Sequence, residues 1–139
     1  MHNELQTLGR AVKQAQYRQH RALEGGLAAI GTTLAQWDAL RAIGNALGAS
    51  ARELAAATFQ SEQAFGTLAS RLVAQGLVVR RPGHGRRIEH HLTPEGERVL
   101  KEGHRVADEV LASCFSALPA ADRSTLLALL QRLTSGEEA

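Results

Sequence analysis

Apolar side chains recur at helical spacing near both ends of the chain. Over residues 5–23 they share one side of a helix, at Leu5, Leu8, Val12 and Ala15, and the flexible pair Gly25-Gly26 is expected to end that helix. A last helix over about residues 120–133 carries the leucines Leu126, Leu127, Leu129, Leu130 and Leu133. So many leucines exceed what a small core covers from one side, which favours a partner chain over packing onto the helix's own domain.

Capping-box spacing marks the starts of two helices in the middle of the chain. Thr33 stands three residues before Gln36, and Ser50 stands three residues before Glu53. In each pair the hydroxyl and the longer polar side chain can satisfy each other's backbone amides. Two helices are therefore predicted to start there, the second of them short.

The next helix, predicted over residues 61–75, has an apolar and a polar side. Gly76 is its expected C-terminal cap. The apolar side is a stripe at helical spacing, formed by Phe65, Leu68 and Leu72. The opposite side carries Glu62, Gln63, Gly66, Thr67 and Ser70, with Arg71 at its edge.

A basic hairpin follows this helix. Residues 77–81 and 87–92 are typical of β-strands and flank Pro82-Gly83-His84-Gly85, which suits a tight reversal. The resulting wing carries Arg80, Arg81, Arg86 and Arg87, and guanidinium groups pair well with phosphate oxygens. From residue 71 to residue 91 there are five arginines against one glutamate, a local charge of +4 in a chain of net charge +2. This concentration of charge indicates nucleic acid as a partner.

A fifth helix is expected after the wing. Thr93 can cap it, with Pro94 in its first turn. Its apolar side runs through Val99, Val106, Val110 and Cys114 until Leu118-Pro119 interrupts it. The order of elements predicts a mainly α-helical winged helix-turn-helix with a two-stranded β wing and long terminal helices. In such a fold the second helix of the pair enters the major groove of double-stranded DNA.

Five segments of the sequence carry a family resemblance, in the order TLAQWDAL, SARELAAAT, SEQAFGTLASRLVAQGLVVRR, GRR and LTPEG. In these segments the chain resembles the multiple-antibiotic-resistance regulator (MarR) family of bacterial transcription factors, over nearly its whole length. The most specific pieces are Gln36-Trp37, Arg71-Leu72 with Gly76-Leu77-Val78, the wing arginines and Leu92-Thr93-Pro94-Glu95-Gly96. The resemblance implies a homodimer with one recognition helix per subunit.

The same resemblance implies an organisation and an activity. Residues 1–139 are expected to form a single domain, with the DNA-binding region at 33–93 and helical dimerisation regions at 1–30 and 94–139. The implied function is a ligand-responsive repressor that binds a pseudo-palindromic operator. The single cysteine and the lack of a signal peptide or membrane span at the N-terminus favour a bacterial cytoplasmic location.

Gly85 is the main departure from the family pattern. Family wings usually carry Asp-Arg-Arg, whereas this chain has Gly85-Arg86-Arg87, and its hairpin looks about two residues shorter than usual. The missing carboxylate is expected to remove an ion pair that holds a wing arginine. The wing arginines Arg86 and Arg87 are therefore expected to be less restrained than in relatives.

DNA contacts are predicted on the polar side of the helix over residues 61–75 and on the wing. Gln63, Gly66 and Thr67 are predicted to meet base edges, with Gly66 allowing close approach. Phosphate contacts are predicted for Ser61, Ser70 and Arg71. On the wing, Arg86 and Arg87 are predicted to occupy or flank the minor groove. Arg80 and Arg81 are also predicted to bind DNA.

A ligand pocket is predicted between the first and fifth helices. Family members often bind aromatic carboxylates near there, so the resemblance implies a small aromatic or anionic effector. The predicted lining is Tyr17, His20, Arg21 and His104. Trp37 has two interpretations, as a wall of this pocket or as a core residue at helical spacing with Leu34, Leu40 and Ile43.

Other function classes find little support in the sequence. His90 and His91 are adjacent on a predicted strand and point to opposite faces, so no metal site is expected. Cys114 is interpreted as a small buried hydrophobe rather than a redox switch. Catalytic motifs are missing, so neither an enzyme nor a cofactor is expected. A winged helix that binds protein instead of DNA remains the competing hypothesis.

Overall fold

The structure, a computed structural model, describes residues 3–135. Its elements are α1 (Glu4–Ala28), α2 (Leu34–Asn45), α3 (Ala51–Ala57), α4 (Glu62–Ala74), β1 (Val78–Pro82), β2 (Ile88–Leu92), α5 (Pro94–Cys114) and α6 (Ala120–Thr134). The predicted mainly α-helical winged helix-turn-helix is confirmed. Residues 1–2 and 136–139 of the predicted dimerisation regions lie outside the described residues.

The chain divides into two compact units. One consists of the two chain ends, up to Ala22 and from Asp108 onward, and the other of Leu23–Ala107. The second unit contains the helix-turn-helix and the wing. The grouping of all these parts into a single domain with terminal dimerisation regions stays a prediction.

The hydrophobic core of the second unit is built around α4. Phe65 and Leu72 are fully buried and Leu68 is partly buried, so the predicted apolar stripe is confirmed. Ala69, between them on the same side of the helix, is also buried. The stripe packs with buried residues of the neighbouring elements, namely Ala39, Leu40, Ile43, Ala49, Leu54, Ala55, Leu77 and Val78. Burial of this stripe leaves the polar side of α4 facing outward.

The two predicted capping boxes have different outcomes. Ser50 forms the complete box, because its hydroxyl accepts from the Glu53 amide and the Glu53 carboxylate accepts from the Ser50 amide at 3.1 Å. Thr33 forms half of one, since its hydroxyl accepts from the Gln36 amide at 3.1 Å. The Gln36 side chain instead accepts from the Thr32 hydroxyl. The Thr32 hydroxyl thus occupies the Gln36 side-chain oxygen, which in a complete capping box would accept from the Thr33 amide.

The prediction that Gly25-Gly26 ends the first helix is wrong. α1 continues through both glycines to Ala28. Each glycine costs a helix about 1 kcal/mol relative to alanine. Leu23 and Leu27, one turn apart on either side of the glycines, are both buried. Burying two leucine side chains contributes about 3 kcal/mol or more. This gain exceeds the cost of the two glycines, so the helix continues past them.

The wing is a two-stranded antiparallel hairpin. Its register pairs Val78 with Leu92 and Arg80 with His90, so these four side chains share one face of the hairpin. The strand bounds differ from the prediction by about one residue at each end of the turn, because Pro82 belongs to β1 and Arg87 precedes β2.

The wing turn is closed at its base. The Gly83 amide donates to the Arg87 carbonyl at 2.7 Å, and the Arg87 amide donates to the His84 carbonyl at 3.2 Å. Gly85 adopts φ +66°, a left-handed conformation that glycine takes at little cost. An aspartate at this position would therefore adopt a less favourable backbone conformation, which gives a backbone reason for the glycine.

The terminal unit presents apolar side chains to solvent. In α6 none of the residues is buried, and Leu127, Leu129, Leu130 and Leu133 are all exposed. The leucines of α1 are also exposed, Leu5 by 69% and Leu8 by 55%. Exposed leucines at helical spacing on a terminal helix are typical of an uncovered association surface. Among residues 3–135, no helix is both long and apolar enough to cross a membrane.

Candidate nucleic-acid interface

The polar side of α4 forms one outward-facing surface, here called the recognition face, comprising Gln63, Gly66, Thr67, Ser70 and Arg71. All are exposed except Gly66, which is half-buried. A Cβ added at Gly66 would meet nothing within 4 Å, so the surface is open at that point. Ser61 lies at the start of the helix and caps it by accepting from the Ala64 amide at 3.0 Å.

The hydroxyl groups of the recognition face are engaged with the helix backbone. Thr67 donates to the Gln63 carbonyl at 3.1 Å, and Ser70 donates to the Gly66 carbonyl at 3.0 Å. Both oxygens retain lone pairs, so without rotation these hydroxyls can accept from base N–H groups but cannot donate to phosphate. The side chains of Gln63 and Arg71 make no hydrogen bond or ion pair within the described chain, which leaves their side-chain donors available.

Arg80 joins the wing to the recognition face. Its guanidinium donates to the Ser70 hydroxyl and to the Gly66 carbonyl, each at 3.2 Å. Its Nε–H points to His90 Nε2 at 3.4 Å. The side chain is thus held along the edge of α4, with its charge exposed.

Arg87 is held by partners outside the wing, so the expected loss of restraint is not found at Arg87. Its Nη2 lies 2.6 Å from the Glu53 carboxylate and donates to the Gly48 carbonyl at 2.9 Å. Glu53 is the acidic member of the capping box, and hydrogen bonds from the Ser50 backbone and side chain, followed by the bond from Arg87, lower its pKa. A carboxylate on α3 therefore supplies the ion pair that the wing sequence lacks.

The remaining wing arginines differ from Arg80 and Arg87. Within residues 3–135, the side chains of Arg81 and Arg86 are exposed and make neither a hydrogen bond nor an ion pair. Adjacent strand residues point to opposite faces, so Arg81 lies on the face away from Arg80. The wing consequently offers two fixed and two free guanidinium groups, and the expectation of weak restraint holds for Arg86 alone.

His90 is a buried polar residue. The sequence drew attention to it only because it stands next to His91, and the two were not expected to bind a metal ion. Its side chain is 1% exposed and packs edge-on against the Phe65 ring. Nδ1 lies 3.0 Å from the Ala49 carbonyl. Burial lowers the pKa of His90, an effect opposed by the bond to Ala49 and reinforced by the positive charge of Arg80. The signal for its burial was strand alternation, since it shares a face with Leu92.

Protein stability is expected to depend on His90 protonation. Because burial lowers its pKa in the folded state below the ordinary value of 6.5, the unfolded chain takes up a proton first as pH falls. The free energy of unfolding should therefore decrease as pH falls through about 6.5, by at most about 1.4 kcal/mol per pH unit, and level off below the folded-state pKa. Urea unfolding at several pH values between about 7.5 and 5.5 measures this slope.

The control for this slope is His90→Leu, which removes the titrating ring. The groups near the ring are Arg80 and His91, together with the Ala49 carbonyl, and all are retained in the variant. The variant should lose the part of the slope due to His90. Identical pH dependence in both proteins would contradict the assignment.

The residues predicted to line a ligand pocket fall in both units. Tyr17, His20 and Arg21 belong to the terminal unit, where the Arg21 guanidinium lies 5.9 Å from the centre of the Tyr17 ring. Trp37 and His104 belong to the second unit and stack edge-to-face at 5.6 Å. Trp37 is buried, as its interpretation as a core residue expects. The pocket itself stays a prediction.

Metal and thiol chemistry gain no support from the geometry. Among the described residues no group of three or more His, Cys, Asp or Glu side chains is arranged to hold a metal ion. Cys114 is half-buried at the end of α5. It borders an open pocket of the terminal unit with Ala11, Gln14 and Arg18.

The fold and the recognition face define a winged helix-turn-helix protein with a basic surface beside α4, the second helix of the helix-turn-helix. Residues 30–88 match the model of the MarR family. The structure is similar to a mutant of Escherichia coli MarR complexed with operator DNA, at 25% identity and a TM-score of 0.87, over 95% of this chain and 96% of that one. No curated protein sequence matches the chain.

Two further solved structures are similar over most of both chains. A probable transcriptional regulator from Pseudomonas aeruginosa is 28% identical with a TM-score of 0.80, covering 90% of this chain and 95% of that one. A MarR family protein of Mycobacterium tuberculosis in complex with salicylic acid is 25% identical with a TM-score of 0.75, covering 91% and 95%. Residues 30–88 thus match the MarR family model, and the fold is similar to solved winged-helix, DNA-binding transcription regulators of that family. Members of this family are regulators rather than enzymes.

Proposed function

We propose that this protein is a repressor that binds a pseudo-palindromic operator as a homodimer in the bacterial cytoplasm. The observation that carries the proposal is the recognition face, which is polar and outward-facing and is flanked by the guanidinium of Arg80. In this proposal residues 33–93 form the DNA-binding region, and the chain ends, 1–30 and 94–139, form the dimerisation region.

The proposed contacts divide by chemistry. Gln63 carries a free amide suited to adenine, Thr67 offers acceptor lone pairs, and Gly66 leaves room for a base edge. Arg71, Arg81 and Arg86 have uncommitted guanidinium groups suited to phosphate or to the minor groove. Ser61 and Ser70 are proposed phosphate contacts. The Ser61 hydroxyl accepts from the Ala64 amide and keeps its own proton to donate, whereas the Ser70 hydroxyl donates to the Gly66 carbonyl and would have to rotate to donate to phosphate.

A homodimer accounts for the exposed leucines of the terminal unit. A two-fold axis places two recognition helices in successive major grooves about 34 Å apart. The operator is then an inverted repeat with half-site centres about ten base pairs apart. Selection of bound fragments from genomic DNA with the purified protein tests this symmetry, and an asymmetric single half-site would contradict it.

The proposed effector is a small aromatic or anionic molecule that relieves repression. Support comes from the relative solved with salicylic acid. The pocket residues proposed from the sequence are Tyr17, His20, Arg21, Trp37 and His104. Salicylate titrated into a fluorescent operator complex should release the DNA, and an unchanged anisotropy would remove salicylate as an effector.

A salt titration separates DNA binding from the competing function of a protein-binding winged helix. Affinity for operator and for mixed-sequence duplex is measured at several salt concentrations by fluorescence anisotropy. A DNA reader should lose affinity steeply, with a log–log slope of about −0.9 for each phosphate neutralised. A protein-binding module should show negligible duplex binding throughout, which would refute the proposal.

The recognition face of α4 offers a test that separates base contacts from phosphate contacts. Gln63→Ala should cost about 1 to 3 kcal/mol of operator affinity and relax base preference at one position, because one bidentate pair is lost. Arg71→Ala should weaken operator and random duplex alike and reduce the salt slope by about 0.9. Anisotropy on an operator series with single base changes measures both.

These two variants are matched because Gln63 and Arg71 are both exposed and without partners in the described chain. Neither change should alter the melting temperature by more than about 2 °C. Equal losses on operator and random DNA for Gln63→Ala would show that Gln63 does not read a base.

A further inference from the structure

His90 and Arg80 face each other across the wing hairpin. They are directly paired in the strand register, on the face of the hairpin that carries the buried Val78 and the partly buried Leu92 toward the core. Arg80 lies further from the core and remains exposed, whereas the His90 ring is buried. The pair therefore spans the boundary between the core and the surface on which DNA binding is proposed.

The hydrogen bonds of the His90 ring determine its tautomer. Nδ1 lies 3.0 Å from the Ala49 carbonyl, which only accepts, so Nδ1 carries the proton. Nε2 then presents a lone pair, and the Arg80 Nε–H is directed at it across 3.4 Å. A neutral ring in this tautomer is the one form of histidine that can accept from Arg80 while donating to Ala49.

The bond from His90 to Ala49 is not required by the backbone. The Ala49 carbonyl already accepts from the His90 backbone amide at 3.1 Å, a bond that any non-proline residue at position 90 would make. Leucine would fill a similar volume beside Phe65 without burying a polar ring. A histidine here is thus better explained by what its Nε2 does than by core packing.

Arg80 has two other acceptors, the Ser70 hydroxyl and the Gly66 carbonyl of α4. Nε is directed at His90 on the wing. The guanidinium plane is therefore held at three points, two of which are on α4. These three bonds use three of the five N–H donors of Arg80, which leaves two that can donate to a phosphate oxygen. An arginine fixed in this way loses less side-chain entropy on binding than a free one.

We propose that His90 is a positioning residue for DNA binding, whose neutral ring holds Arg80 against Gly66 and Ser70 as a preset phosphate contact. The proposal rests on the proposed function, since it assigns a role within the same DNA-binding surface. It distinguishes Arg80 from Arg81 and Arg86, which are free in the described chain. It also gives Ser70 a role as an anchor for the Arg80 guanidinium.

A double-mutant cycle tests the proposal on the full-length protein with one operator duplex. Arg80→Ala should lower affinity and flatten the salt slope by about 0.9. His90→Leu should lower affinity roughly two- to tenfold, the cost of immobilising one side chain on binding. In the Arg80→Ala background His90→Leu should have no further effect, because the residue that it positions is already gone.

His91→Leu is the matched control. His91 is the neighbouring histidine on the opposite face of β2, where it contacts Glu89, and its loss should leave the Arg80 geometry intact. Equal losses from His90→Leu with and without Arg80 would overturn the proposal, since they would indicate a general structural effect. If the wild type shows no binding to any DNA duplex, the proposed function itself is refuted.

Nuclear magnetic resonance of the wild type provides a readout that does not depend on any variant folding. The ¹⁵N shifts of the His90 ring should show a neutral ring with the proton on Nδ1, and the Arg80 Nε–H should give a resolved cross-peak. That cross-peak should disappear in His90→Leu and persist in His91→Leu. A His90 ring protonated on Nε2 near neutral pH would overturn the proposal.

Discussion

Leu130→Glu combined with Leu133→Glu is expected to abolish self-association and to lower operator affinity at least about a hundredfold. Both leucines are exposed in the single chain, by 40% and 68%, and α6 has no buried residue. If a partner chain covers them, each introduced carboxylate would have to be buried without a counter-charge, which costs several kcal/mol. A monomer would then bind each half-site separately and lose the avidity gained by linking the two.

The measurement combines analytical ultracentrifugation at micromolar concentration with operator anisotropy. Ser124→Glu with Ala128→Glu is the matched control, because it adds the same two charges to α6 on the side opposite Leu130 and Leu133. The control should remain dimeric. A double leucine variant that still forms a dimer, or that binds the full operator like the wild type, would show that α6 is not the association surface.

Gly96→Ala is expected to lower the free energy of unfolding by about 3 kcal/mol. Gly96 is buried in the first turn of α5, and a Cβ there would overlap the carbonyl oxygen of Leu77. Neither backbone can easily yield, because the Leu77 amide donates to the Leu72 carbonyl at 2.9 Å and the Leu77 carbonyl accepts from the Thr93 amide at 3.1 Å. Helix propensity alone predicts the opposite, a gain of about 1 kcal/mol.

Gly66→Ala supplies the contrast for this test, since a Cβ at Gly66 meets nothing within 4 Å. That variant should gain about 1 kcal/mol of stability from helix propensity. Urea unfolding at one fixed protein concentration measures both variants, because association shifts apparent stability. If Gly96→Ala is as stable as the wild type, the contact between α5 and the start of β1 is looser than the structure places it.

Much of the candidate site could be predicted from the sequence because its determinants are local. The cap at Ser61, the stripe of Phe65 and Leu72 and the turn around Gly85 each depend on residues within one or two helical turns or one hairpin. Side-chain periodicity and turn chemistry act over that range. The polar side of α4 then follows from the buried side by elimination.

The partners of the wing arginines could not be predicted in this way. The Gly48 carbonyl that holds Arg87 lies 39 residues earlier in the chain, and Glu53 also serves as the acidic member of a capping box. Arg80 meets Gly66 at a separation of 14 residues. Sequence spacing carries no information on which of several exposed arginines meets which carbonyl, so fixed and free arginines look alike.

By itself, the sequence determined the order of helices and strands, the buried stripe of α4 and the concentration of arginines on the wing. These depend on short-range periodicity, capping and composition, which act before any tertiary contact forms. Only the tertiary structure decided that α1 continues through Gly25-Gly26, that Glu53 restrains Arg87 and that His90 is paired with Arg80. In each case burial or a long-range hydrogen bond outweighs local preference, because the groups involved meet only when the chain has folded.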